Sequence, residues 1–191
     1  MLIFAAKNKI MNQNKTNVLI GIGLIVFAAV LKVTTYPHTF DPIIAISLFS
    51  GAIISDRKLA FVLPLLAMFI SDVIFEVFNI AQGFYGWEQL GNYAALLFIT
   101  VLGFFMKKIN PITVVGYSVA SSILFYFLSN TNTFLFDTFN TYDNTMAGYI
   151  KCMAAGIPFM KIPENLVYSI VLFGSYTLLM KSSLKKEVVK A

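Results

Sequence analysis

LAFVLPLLAMFISDVIFEVF, residues Leu59 to Phe78, is long enough and apolar enough to cross a lipid bilayer as one helix. Its twenty residues, at a helical rise of about 1.5 Å each, reach roughly 30 Å, the thickness of a bilayer's hydrocarbon core. Pro64 lies inside it and is a natural kink. Asp72 and Glu76 are its only ionisable residues, and their four-residue spacing puts both carboxylates on one helical face in the second half. An acid inside a span costs several kcal/mol unless it faces protein, water or a counter-charge, so this face is a candidate functional surface. The plainer alternative is that both acids reach the headgroups and are simply solvated.

The rest of the chain has the composition of a protein dissolved in lipid. Of 191 residues, 58% are hydrophobic and 12% charged, with 19 Phe and a mean hydropathy of +0.79. Soluble domains carry about 25% charged residues, so the expected class is an all-α integral membrane protein with a single helical domain. The net charge of +5 would suggest nucleic acid if clustered on a soluble face, but topology accounts for it here, and no nucleic-acid partner is expected. One cysteine, Cys152, excludes an internal disulfide or a multi-cysteine metal site, and the lone His38 excludes a histidine cluster.

In order, residues 1–17 read as a polar, basic tail and 18–181 as the membrane domain, with 182–191 as a second basic tail. The first span is Val18 to Thr34, whose Lys32 is placed to snorkel to the interface. Ile43 to Ile54 is short for a span unless Phe40 and Pro42 enter with it, and its Ala45, Ser47, Ser50, Gly51 and Ala52 suggest a helix buried among neighbours. After the Leu59 span, Asn79 to Leu90 reads as a surface loop rich in Gly, Tyr and Trp. Gly91 to Met106 and Ile112 to Ser129 are the fourth and fifth spans, the latter with a small, weakly polar side. Asn130 to Thr145 is polar, aromatic and free of lysine, a candidate lid. Met146 to Met160 suits a short re-entrant or interfacial helix, and Leu166 to Met180 completes a bundle of six spans.

Charge orients this division. With the amino terminus in the cytoplasm, the inner segments hold Lys7, Lys9, Lys15, Arg57, Lys58, Lys107, Lys108, Lys181, Lys185, Lys186 and Lys190, eleven of the fourteen basic residues. Asp41, Asp72, Glu76, Glu88, Asp137, Asp143 and Glu164, seven of the nine acids, fall on the outer side. The positive-inside rule then places both termini in the cytoplasm of a bacterial inner membrane.

No nucleotide loop, nucleophile elbow, zinc motif or dinucleotide fingerprint is present, and the spans hold few polar groups, so no enzyme activity, cofactor or metal is expected. What remains is a collection of amides, acids and rings at the outer mouth, the usual make-up of a small-molecule pocket. The candidate substrate-binding residues are Asp72, Glu76, Trp87, Asn92, Asn130, Asp137, Tyr142, Lys161, Glu164 and Asn165, between the outer loops and the outer halves of the third, fifth and sixth spans. Against this, Tyr85, Trp87 and Tyr93 suit interface anchoring, Asn130 a helix cap, His38 a solvated loop and Cys152 a packing filler. Lys161 pairs either with Glu164 on its own helix or with Asp72 or Glu76 across the bundle.

A resemblance adds to this reading. Phe40-x-Pro42-Ile43-x-Ala45, Leu48-Phe49-x-Gly51-Ala52, Leu59-Ala60-Phe61-x-x-Pro64-Leu65 and Ser71-Asp72 resemble an uncharacterised family of small bacterial membrane proteins to which a transport role is ascribed. So do Asn130, Ala147-Gly148, Cys152, Ala154-Ala155-x-Ile157-Pro158-Phe159 and Leu172-Phe173-Gly174. The six-span layout is similar in topology, not in motif, to the S components of energy-coupling-factor (ECF) transporters. That likeness implies uptake of a vitamin or cofactor precursor from the outer side, driven by an energising membrane partner. Many S components dock that partner through an Ala-x-x-x-Ala patch, whereas this chain has Gly21, Gly23, Ala28 and Ala29 at other spacings. The alternative function is a membrane scaffold that holds a protein partner through its outer loops.

Overall fold

A computed structural model of the chain describes residues 2–34, 41–137 and 140–189, with side chains over 18–34, 41–137 and 140–180. His38, Tyr36, Thr39 and Phe40 lie outside the described residues. Among those described, every regular element is helical. In chain order they are α1 (Leu2–Thr34), α2 (Ile43–Ile53), α3 (Arg57–Val77), α4 (Trp87–Phe104), α5 (Pro111–Leu135), α6 (Met146–Gly156), a 3-10 turn (Ile157–Phe159) and α7 (Ile162–Val189). Two of them, α3 and α5, are long and apolar enough to cross a membrane, whereas Val18–Thr34 and α2 are apolar but shorter.

The helix starts are written in the side chains. Asp56 accepts the Leu59 N–H at 2.9 Å to open α3. Asn110 and Thr113 exchange hydrogen bonds in a capping box, with Pro111 in the first turn of α5. Thr145 accepts the Gly148 N–H to open α6. Gly86, with φ +79°, turns the chain into α4.

The centre of the bundle is α2. Each residue from Ile43 to Gly51 is buried, as its small-residue content suggested, and the helix packs on α1, α3, α4, α5 and α7. Its closest approach is to α4, where a Cβ on Gly51 would stand 2.0 Å from the Thr100 carbonyl oxygen. Phe49 completes the core edge-on to Phe173, with ring centroids 5.1 Å apart. Pro64 lies within α3 and has no N–H to give the Ala60 carbonyl one turn back; Ser50 of α2 donates its hydroxyl there instead, at 2.8 Å.

Several boundaries differ from the sequence expectation. The expected tails at 1–17 and 182–191 are largely helical, as extensions of α1 and α7. Trp87 to Leu90 form the first turn of α4, not loop, and Asn130 to Leu135 continue α5, which shortens the expected lid. Tertiary contacts override the polar composition of that stretch. Asn132 donates to the Glu88 carbonyl oxygen at 2.6 Å and Thr133 to the Glu88 carboxylate at 2.6 Å. The expected short helix at 146–160 is present as α6 and the 3-10 turn, held to α5 by Tyr126, whose hydroxyl donates to the Met153 carbonyl.

Hydroxyls and amides are buried alongside the apolar core, and large apolar side chains are also exposed. Ser47, Ser50, Thr100, Ser118, Ser121, Ser122, Asn165 and Ser169 are buried between helices, whereas Phe27, Val62, Phe69, Phe98, Phe127 and Val171 are exposed on the outer surface. The two ends of the bundle differ in charge. At one, Arg57 lies over the Phe104 ring, 4.4 Å from its centroid, beside the exposed Lys107 and Lys108. At the other lie Lys32, Asp41, Asp72, Glu76, Glu88 and Lys161.

Candidate binding cleft

The acid-bearing end is organised by a buried lysine. Lys32, in the last turn of α1, is 7% exposed, and its ammonium stands 3.8 Å from both the Asp41 and the Asp72 carboxylates. These are ionic contacts rather than hydrogen bonds. The ammonium's hydrogen bond among the described residues goes to the Met68 sulfur at 3.3 Å, and the Phe75 ring lies 5.8 Å away. Lys32 therefore does not snorkel to the interface, because two carboxylates from different elements offer it a counter-charge inside the bundle.

Asp72 is the hub on the other side of that pair. It is 4% exposed, and one oxygen accepts from Gln89 Nε2 at 2.8 Å and from the Tyr93 hydroxyl at 2.6 Å. Gln89 also donates to the Gly83 carbonyl oxygen and accepts the Tyr85 N–H, so one amide ties the α3–α4 loop to the acid. Asp41 accepts the Ile43 N–H at 3.0 Å and so opens α2 as well as facing Lys32.

Next to this network is a cleft of about 140 Å³, lined by Asp41, Ile43, Ile44, Met68, Tyr85, Asn92, Leu96, Phe125 and Lys161. Its polar groups are only partly used. Asn92 Nδ2 donates to the Tyr85 hydroxyl at 3.2 Å, whereas Asn92 Oδ1 is buried with no hydrogen-bond partner. Burial, opposed by the Asn92 hydrogen bond and reinforced by Asp72, Glu88 and Asp41, raises the Tyr85 pKa above that of an ordinary phenol, so the group keeps a proton to donate. The Lys161 ammonium has no ion pair or hydrogen bond among the described residues. A second cleft of about 200 Å³ shares Phe125 and Lys161 with the first and adds Ser122, Tyr126, Ser129, Asn130, Gly156, Phe159 and Met160.

Of the ten expected binding residues, Asn92 and Lys161 line the first cleft, and Asn130 and Lys161 the second. Asp72 is beside the first cleft but committed to Lys32, Gln89 and Tyr93. Glu76 is exposed and accepts the Gly83 N–H. Trp87 is 73% exposed, outside either lining, and Asp137 accepts the Tyr142 N–H away from both. Asn165 turns into α5, its Nδ2 within hydrogen-bond distance of the Ser118 carbonyl oxygen and the Ser121 and Ser122 hydroxyls, and the Glu164 Oε2 atom is buried without a hydrogen bond. Lys161 forms none of the expected ion pairs, and Asp72 is paired with Lys32 instead. The first cleft also draws on α2, from which the sequence reading named no binding residue. Lys32, Asp41, Tyr85 and Gln89 are the residues that the expected set lacks. Gln89 sits in a stretch that reads as loop, and the pairing of Lys32 joins positions 40 residues apart.

The chain belongs to a family described as "Family of unknown function (DUF6580)", whose model matches residues 12–187. No curated protein and no solved structure matches it.

Proposed function

Membership of a family of unknown function leaves the geometry to speak, and from it we propose that this is a solute-uptake protein of a bacterial inner membrane, with the first cleft as its binding site. The bundle exposes large apolar side chains around its flank and turns its hydroxyls and amides inward, the arrangement that lipid favours. In this reading α1, α2, α3, α4, α5 and α7 make six crossings and α6 lies at the interface. The basic end, with Arg57, Lys107 and Lys108, faces the cytoplasm together with both termini. The cleft then opens outward.

The observation that carries the proposal is unspent hydrogen-bonding capacity in one small space. The Lys161 ammonium, the Tyr85 hydroxyl proton and the buried Asn92 oxygen line one cleft, and none has a protein partner among the described residues. A buried polar atom without a partner costs about 1–3 kcal/mol, which a bound solute recovers. The solute is of the vitamin or cofactor-precursor class. The chain carries no nucleotide-hydrolysing motif, so inward transport draws on a membrane partner or an ion gradient.

Native mass spectrometry of protein extracted from its own host in mild detergent tests this. The expected result is a stoichiometric small mass on the wild type that is lost on Asn92→Leu. An unliganded chain with a co-purifying protein would instead make it a scaffold.

A further inference from the structure

Resting on that uptake reading, we propose that the first cleft takes a carboxylic acid no larger than a single ring, with an N–H donor elsewhere on it. Lys161 and the Tyr85 hydroxyl hold the carboxylate, and Asn92 Oδ1 accepts the N–H.

Size comes from the volume. A dry cavity of about 150 Å³ holds benzene, so the 140 Å³ here matches one ring with small substituents better than two fused rings. Beyond Phe125 and Lys161 the space belongs to the second cleft, whose polar groups come from other residues.

Charge follows from which ions already have a partner. Asp41 and Asp72 share Lys32, and Asp41 also holds the first turn of α2, so both carboxylates are engaged. Lys161 is the charged group on the wall with no ion pair among the described residues, and its ammonium is the place for one carboxylate. A dianionic phosphate would crowd Asp41 on the same wall.

The donor and the body follow from the other lining groups. Asn92 Oδ1 is an acceptor in need of a donor, because it is buried with no hydrogen-bond partner while Nδ2 points to Tyr85. Ile43, Ile44, Met68, Leu96 and Phe125 give the remaining wall an apolar, polarisable surface suited to a flat ring.

Calorimetry on the purified full chain in detergent, with the three aminobenzoate isomers as probes, tests the assignment. Benzoate lacks the N–H donor, benzylamine reverses the charge, and an aminonaphthoate adds a ring. One aminobenzoate isomer is expected to bind at least about tenfold more tightly than benzoate or the aminonaphthoate, with no binding of benzylamine. Lys161→Gln should weaken that isomer about tenfold or more and Lys161→Arg much less, whereas Asn92→Leu should remove its advantage over benzoate. Preference for benzylamine or for the two-ring acid would overturn the assignment, as would undiminished binding by Lys161→Gln. If no isomer binds but native extraction retains a larger or cationic solute, this assignment fails and the uptake reading stands. If neither yields a bound solute, both fail.

Discussion

Lys32 and Asp72 show how a buried charge is held at this end of the protein. Removing one member of a buried ion pair typically costs 3–5 kcal/mol, because the other is left without compensation. Here Lys32 keeps Asp41 when Asp72 is lost, so Asp72→Asn should cost less, about 2 kcal/mol in thermal unfolding in detergent. Lys32→Met leaves two carboxylates facing each other and should cost more, about 3 kcal/mol or above. The double variant should fall short of the sum by at least about 1 kcal/mol, the mark of a direct interaction. Strict additivity would mean that the 3.8 Å Lys32–Asp72 contact carries no energy. Asp72 was legible in the sequence because an acid in a long apolar run has no cheap surroundings. Its partner was not, since a lysine near a span's end reads equally well as a snorkelling residue.

Ser50 and Pro64 make the corresponding case for an element. Pro64 withdraws a backbone donor inside α3, and α2 returns one through the Ser50 hydroxyl, so the two helices are locked at this point by a defect in one of them. Ser50→Ala should destabilise by about 1–2 kcal/mol, the cost of an unsatisfied buried carbonyl. In a Pro64→Ala background the backbone N–H restored at that position can satisfy the Ala60 carbonyl, and the same serine substitution should then cost only about a few tenths of a kcal/mol. An equal cost in both backgrounds, measured by thermal unfolding, would contradict this account of α3. Burial of α2 was readable from its Ala, Ser and Gly content, and Pro64 was visible as a breaker. The ends of α4 and α5 were not readable. Trp87 to Leu90 and Asn130 to Leu135 have loop-like composition and become helical through contacts between Glu88, Asn132 and Thr133, which the local sequence does not contain.

At the scale of the whole molecule, charge separates along the bundle axis. Arg57, Lys107 and Lys108 gather at one end, and the Lys32 network and the cleft at the other. That division was legible from the alternation of basic and acidic connections. The composition of the cleft was not, because its wall is assembled from α2, α3, α4, α5 and the segments that precede α2, α4 and α7, with one or two residues from each. A pocket of that kind becomes visible only when the chain is folded. Uptake from outside requires the cleft end to face away from the cytoplasm, and single-cysteine labelling of intact cells with a membrane-impermeant maleimide measures that directly. In a Cys152→Ala background, Trp87→Cys, at a position 73% exposed beside the network, is predicted to react, whereas Lys107→Cys stays unlabelled until the cells are broken. Labelling of Lys107→Cys in intact cells with Trp87→Cys protected would contradict the account.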